Sequence, residues 1–323
     1  MLCGRKQRVV IGSSKSDWSP VYSGVPQGSV LGPLLFVIYI NDLDSGLLSK
    51  LLKFADDTKA LWVINDDSDV ACLQSDLDKL SDWSSKWLMS FNINKCSVMH
   101  FGYSNKNATY ILNGEVIKEV TEEKDLGVII QSNLKVDLQC AKVVREANRI
   151  LGMVKRCFTY KSKDNLLKIY KSLVRPHLEY CIQAWSPYLV KDCDKLENVQ
   201  RRFTRMIPGF SNIAYEDRLV ELNLTTLKTR RLRGDLIHLF KMMKGYVNVD
   251  FDLYVTRCPE NSLRGNLLKL YKTRFNSNIG KYTFSNRVIT EWNLLTNDII
   301  ACDSIDSFKN KLDVHLRYCR GYQ

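Results

Sequence analysis

Histidine is scarce in this chain, at four in 323 residues, and His100, His177, His238 and His315 stand far apart. No two of the ten cysteines form CxxC, and no Cys/His cluster has zinc-finger spacing. The common structural zinc sites are therefore excluded, and each histidine reads as structural. A disulfide framework suits small secreted chains, so the thiols read as reduced and mostly buried. Long hydrophobic runs are also missing. The longest, "VLGPLLFVIYI", has 11 residues including a proline, where a spanning helix needs about 20. No signal-peptide pattern is present, so the expectation is a soluble, intracellular protein without a membrane partner. Repeats and low-complexity tracts are absent too, and the length allows two or three domains.

What is present is positive charge, unevenly spread. The net charge is +12, but residues 1–131 hold 13 Lys/Arg against 16 Asp/Glu. Residues 132–323 hold 34 against 19. A mildly acidic front thus precedes a strongly basic back. Basic character concentrated in one region suggests a polyanion partner, most simply nucleic acid. A solvated Lys-rich helical surface has the same composition, and charge alone leaves that choice open.

Periodicity gives an α+β class. "RKQRVVIGSSKSDWSPVY" reads as a hairpin. "SGVPQGSVLGP" is too rich in Gly and Pro for a regular element, and Pro33 suits the first turn of the helix "PLLFVIYINDL". Residues 51–64 read as strand, Asp-Asp turn, strand. Residues 69–90 place Leu73, Leu77, Leu80, Trp83, Trp87 and Leu88 at helical spacing, as a helix lying across one face of an antiparallel sheet. "FNINKCSVMHF" reads as strand, "TYILNGEVIKEV" as a hairpin turning at Asn113-Gly114, and "DLGVII" as a short strand. From about 137 the period becomes helical. Val143, Val144, Ala147, Ile150, Leu151, Val154 and Phe158 fall on one face, and Lys142, Arg145, Arg149 and Arg156 on another. Further helices cover "KDNLLKIYKSLVRPHLEY", "DCDKLENVQRRFTRMI" and the basic stretch "LTTLKTRRLRGDLIHLFKMMK". The expected domains are 1–131, 132–211 and 212–323.

Asp56 and Asp57 are the candidate chemistry. Two carboxylates on an anchored turn suit Mg²⁺, which prefers carboxylate oxygens, although acidic turns often have no function. The loop at 23–33 lets a flat or charged ligand approach backbone closely, although such loops are often plain connections. The two features lie about thirty residues apart, which is a more specific signal than either alone.

Here the residues resemble a family. "SGVPQGSVLGPLLF", "KFADDTKALW", "NINKC" and "DLGVII" follow the order of reverse-transcriptase motifs B, C, D and E. The chain resembles the C-terminal part of a non-LTR (LINE-type, jockey-like) retrotransposon reverse transcriptase, beginning just before motif B. The likeness continues through "YKSLVRPHLEYCIQAWSP", "LENVQRRFTRMI", "LKTRRLRGDLIHLFKMMKG" and "FSNRVITEWNLL". It implies a partial polymerase palm over 1–131, a helical thumb over 132–211 and a basic, mostly helical region of unknown role beyond. It implies RNA-directed DNA polymerisation with two Mg²⁺, an RNA template, a DNA primer and deoxynucleotides, in cytoplasm and nucleus. Asp56 would bind catalytic Mg²⁺ and Asp57 would support the site. Gly24, Pro26, Gln27 and Gly28 would border nucleotide and template. Lys95 would assist the leaving pyrophosphate, and Gly127 would form a turn near the primer end. Lys142, Arg145, Arg149, Arg156, Arg201, Arg202 and Arg205 would contact duplex phosphates.

The pattern has one departure. The family's third carboxylate comes from motif A, N-terminal to motif B. Only Asp17 precedes the loop, in "SKSDWSP", and it does not match. The fingers have no counterpart either. The expectation is a chain inactive as a polymerase by itself, with an open apolar sheet edge. The alternative is a non-catalytic nucleic-acid-binding remnant that uses the basic helices alone.

Overall fold

Two-residue turns build several of the strand pairs. Asn113 and Gly114 both have positive φ, 51° and 78°, and join Ile111–Leu112 to Glu115–Val116 as a type I′ turn. Leu126 and Gly127, at 43° and 90°, do the same between Glu122–Asp125 and Val128–Gln131. The computed structural model describes residues 4–22, 24–25, 28–259 and 266–318. Among these the strands pair only two by two, in place of one continuous antiparallel sheet. Most strands have two to five residues, too short to recruit further neighbours. The stretch read as the strand "FNINKCSVMHF" is mainly a 3₁₀ turn, Ile93–Lys95, and a two-residue strand, Ser97–Val98, that pairs parallel with Lys118–Glu119.

Helix outweighs strand. The helices are α1 (Leu31–Tyr39), α2 (Asp67–Trp87), α3 (Asp137–Cys157), α4 (Lys163–Ile169), α5 (Arg175–Glu179), α6 (Ile182–Trp185), α7 (Val190–Arg205), α8 (Tyr215–Glu221), α9 (Leu227–Met243), α10 (Asn278–Lys281), α11 (Phe284–Asn293), α12 (Asn297–Ile300) and α13 (Ile305–Tyr318). No described helix is long and apolar enough to cross a membrane.

The chain divides into two compact units between Val120 and Thr121. In the first, Asp66 caps α2: its carboxylate accepts the N–H groups of Ser68 and Asp69 at 2.9 and 3.2 Å, and Asp69 reciprocates. The cap starts the helix at the phase that turns Leu73, Leu77, Leu80 and Trp83 toward Leu43, Tyr110, Leu112 and Ile117. By contrast α1 buries only Gly32, although its sequence is almost wholly apolar.

The second unit holds two clusters. Cys140, Val143, Ala147, Leu151 and Val154 of α3 pack with Leu196, Val199 and Phe203 of α7. Tyr170 stacks on Phe203 with ring centres 4.1 Å apart. Phe158, expected on the apolar face of α3, is exposed because the helix ends at Cys157. The other cluster joins Leu236, Leu239 and Phe240 of α9 to Trp292, Phe308 and Leu312. Helix α9 serves both clusters, since its Leu227 lies in the first. The eight described cysteines are unpaired. Only Cys140 and Cys302 are buried, so most thiols are less enclosed than composition suggested.

Candidate active site and nucleic-acid interface

Strand Lys50–Phe54 pairs antiparallel with Asp57–Leu61, and Phe54 faces Asp57. Only Ala55 and Asp56 remain for the turn, so it sits one residue earlier than an Asp-Asp turn, and Asp57 opens the second strand. A two-residue loop matches the twist of the pair, but it places Ala55 at φ 51°. An alanine there costs about 1 kcal/mol relative to glycine. Both carboxylates are exposed and lack hydrogen-bond or ion-pair partners among the described residues.

The hairpin is fixed from beneath. Lys53 Nζ donates to the carbonyls of Ile40 and Asn41, at 3.3 and 3.1 Å, and to Asp44 Oδ1 at 2.9 Å. It therefore ties the strand to the chain leaving α1, where carbonyls lack helical partners. The Lys53 bond holds the Asp44 carboxyl below its usual value. Asp76 of α2 holds the strand's entry, accepting the N–H groups of Leu48 and Ser49 at 2.9 and 2.6 Å and Lys79 Nζ at 3.0 Å. Burial pushes the Asp76 carboxyl up, but the Ser49 and Lys79 bonds bring it net below its ordinary value. Sequence reading missed Asp76. Its one signal is a carboxylate at a position that α2 buries.

Gly24 and Gly28 have φ of 77° and 78°, the left-handed region that glycine enters freely. The Gly24 carbonyl accepts Arg5 Nη2 at 2.7 Å. Pro26 and Gln27 lie outside the described residues. Lys95 is exposed at the end of the 3₁₀ turn. Magnesium fits these residues only in part. Asp56 and Asp57 offer two adjacent ligands, and among the described residues no group of three His, Cys, Asp or Glu could close a metal site.

In the second unit the predicted phosphate contacts divide by what holds them. A groove of about 680 Å³ is lined by Lys155, Lys161, Asn198, Arg201, Arg202, Arg205 and Met206. It gathers three predicted cations with Lys155 and Lys161, which sequence reading missed although Lys155 adjoins Arg156. No carboxylate lines it. Arg202 Nη1 donates to Asn148 Oδ1 at 3.0 Å and so joins α7 to α3. Arg201 Nη1 donates to Asn198 Oδ1 at 3.0 Å and covers the Tyr215 ring at 5.0 Å. Arg145, Arg149 and Arg156 are exposed on α3 outside the lining, and Arg149 pairs with Glu146 at 3.0 Å.

Lys142 has an internal role. Its Nζ donates to the Gly127 carbonyl at 2.6 Å, and burial lowers its pKa. Tyr180 Oη donates to the Leu126 carbonyl at 2.9 Å. A Cβ on Gly127 would lie 3.4 Å from the Tyr180 ring. The turn thus needs glycine for its φ and is clamped by two side chains.

A family model for reverse transcriptase (RNA-dependent DNA polymerase) matches residues 3–151. Residues 3–151 are thus similar to a reverse transcriptase domain. The match covers the Asp hairpin and reaches into α3. The RNA-directed DNA polymerase from mobile element jockey of Drosophila funebris is 29% identical over 222 residues, covering 64% of this chain and 24% of that protein. The probable RNA-directed DNA polymerase from transposon X-element of Drosophila melanogaster is 27% identical over 216 residues, with the same coverage. The corresponding protein from transposon BS of Drosophila melanogaster is 26% identical over 219 residues, covering 63% of this chain and 24% of its own length. The domain is related to those of non-LTR retrotransposons. The similarity takes in 64% of the chain, and the chain spans about a quarter of these relatives' length.

Proposed function

We propose that this chain is a piece of the RNA-directed DNA polymerase of a jockey-like non-LTR retrotransposon, carrying part of the palm and a helical thumb. The observation that carries this reading is the Asp56-Asp57 hairpin. It is held by Lys53 and Asp76 and follows the Gly24–Gly28 loop and α1 inside the matched residues. In the assembled enzyme Asp56 and Asp57 would hold magnesium, which supplies charge neutralisation at the transferred phosphate. The two described carboxylates do not complete that ligand set, so no catalytic step is assigned to this chain alone. Gly24, Pro26, Gln27 and Gly28 would border nucleotide and template, with Lys95 near the leaving group and Gly127 near the primer end. Arg201, Arg202 and Arg205 would contact duplex phosphates.

A second reading is a non-catalytic nucleic-acid binder. The basic groove favours it, because five cations converge there without a carboxylate and without need of metal. One experiment separates the two. DNA synthesis on an RNA template is measured with protein translated from the complete transcript, beside its Asp56→Ala variant. Mg²⁺-dependent incorporation that the variant loses supports the polymerase. Equal incorporation by both sinks the role of Asp56. Metal-independent template binding without incorporation supports the binder.

A further inference from the structure

A second concentration of positive charge in the second unit lies apart from the groove. A cavity of about 240 Å³ opens between the start of α9, the end of α13 and the π-helical turn Tyr170–Val174. Its lining includes Lys171, Arg175, Arg230, Arg233, Arg317 and one carboxylate, Asp313. Glu179, just behind it, is the other compensating acid. Five cations therefore face two carboxylates.

The pairing is specific. Glu179 takes Arg230 in a fork, with both bonds at 2.7 Å, and meets Arg175 more loosely at 3.4 Å. Asp313 takes Arg233 in a second fork. The acids are thereby committed. Lys171 and Arg317 lack ion-pair and hydrogen-bond partners among the described residues. Burial, and next to it the neighbouring Arg230, push the Arg175 guanidinium below its usual range. Such crowding of like charge is costly unless an anion relieves it. The polar walls add suitable donors. Thr225, just before the Thr226 cap, and Thr229, in the first turn of α9, line the cavity. The Leu227 and Thr229 N–H groups there are taken by Glu197 and the Thr226 hydroxyl, so this end offers the helix dipole and the threonine hydroxyls to an anion. Gln200 forms the floor, fully buried and fixed by bonds to Tyr170, Tyr215 and the Thr225 carbonyl.

We propose that this cavity binds a terminal phosphate group, as inorganic phosphate or as the phosphomonoester end of a nucleic-acid strand. A terminal phosphate carries about −1.5 to −2 charge at neutral pH, against about −1 for each bridging phosphate of a strand. The excess of three cations and the small volume suit the compact dianion better than a running backbone. Guanidinium forks oriented by Glu179 and Asp313 leave further N–H groups to recognise oxygen in a plane. The site does not depend on the polymerase reading, since it uses neither the Asp hairpin nor the basic groove.

The test uses the full chain and inorganic phosphate by isothermal titration calorimetry. Saturable binding is expected. The Lys171→Ala/Arg317→Ala double variant should weaken it about tenfold or more, whereas Arg202→Ala/Arg205→Ala in the groove should leave it unchanged. Circular dichroism checks the fold, and a Lys171→Gln/Arg317→Gln pair, which keeps side-chain bulk, should show the same loss. Competition by a 5′-phosphorylated oligonucleotide, but not by its 5′-hydroxyl counterpart, identifies a strand end as the source. Failure of both to compete identifies free phosphate. Absence of saturable binding to the folded protein, or binding that both double variants at Lys171 and Arg317 retain, overturns the proposal.

Discussion

The basic groove makes a quantitative prediction about salt. Lys155, Lys161, Arg201, Arg202 and Arg205 line it, and no carboxylate lies among them. Each phosphate neutralised on a double helix contributes about −0.9 to the slope of log affinity against log salt. Five contacts give a slope of about −4.5, so raising salt from about 50 to about 200 mM should weaken duplex binding roughly 500-fold. Arg202 and Arg205 are both exposed. Replacing both by alanine should bring the slope to about −2.7. Lys142→Ala is the internal control. Its ammonium is committed to the Gly127 carbonyl, so the slope should stay near the wild-type value. Fluorescence anisotropy of a labelled duplex, titrated with the full chain at several salt concentrations, reads all three. A wild-type slope near zero, or a slope that Arg202→Ala/Arg205→Ala leaves unchanged, refutes the groove as a phosphate surface. A shallower slope on Lys142→Ala refutes the internal role given to that lysine.

Arg287→Ala should be far more damaging to stability. Arg287 Nε and Nη2 hold the two Asp235 oxygens at 2.9 Å each, and Nη2 also donates to the Ile182 carbonyl at 3.0 Å. Asp235 is almost fully buried, so leaving it unpaired should cost about 3–5 kcal/mol. Asp235→Ala/Arg287→Ala should recover part of that loss in urea unfolding, and strict additivity would contradict the account. Glu197 should shape the pH profile. Burial holds its carboxyl above the usual range despite bonds from Tyr215 and the Leu227 N–H. A raised folded pKa means that its contribution is full below the unfolded pKa and is lost as pH rises through the folded one. Glu197→Gln should therefore lose less stability than wild type as pH rises from about 4.5 toward neutrality. Parallel urea-midpoint profiles for the two proteins would contradict this.

Local chemistry was legible where a residue's neighbours in sequence decide its conformation. Asn113-Gly114 makes the turn expected of it, and α2 runs almost where its leucine spacing placed it. The Asp hairpin was legible as a hairpin, but its turn fell one residue early because cross-strand register, not composition, sets the loop. Long-range pairing was not legible. The basic stretch of α9 looks like a surface for polyanions. Yet Arg230 finds Glu179, 51 residues away, and Arg233 finds Asp313, 80 residues away. Arg231, between them, is 3% exposed. Charge counting cannot see these partners, and so could not show that α9 holds the second unit's two clusters together. Nor could the helical pattern of α3 show that Lys142 is committed to a turn fifteen residues upstream.

Beside the phosphate cavity proposed above, the excess of positive charge after residue 131 has two physical roles, and they lie on different side chains. One set is internal. Arg287, Arg230 and Arg233 are each held by a carboxylate in fork geometry; removing Arg287 or Arg233 leaves its carboxylate without that fork, and removing Arg230 leaves Glu179 only its looser contact with Arg175. The other set faces outward at the α3–α7 groove, with Asn148 and Asn198 rather than acids as its fixed neighbours. Neutral amide partners orient a guanidinium without cancelling its charge, so the groove keeps its field for a ligand. Substitutions in the first set should act on stability and leave alone the salt dependence of groove binding, read with a duplex whose ends carry 5′-hydroxyls. Substitutions in the second should act on salt dependence and spare the fold. A variant such as Arg205→Ala that unfolds the second unit, or an Arg233→Ala protein that stays folded with a changed salt slope, would show that this division is wrong.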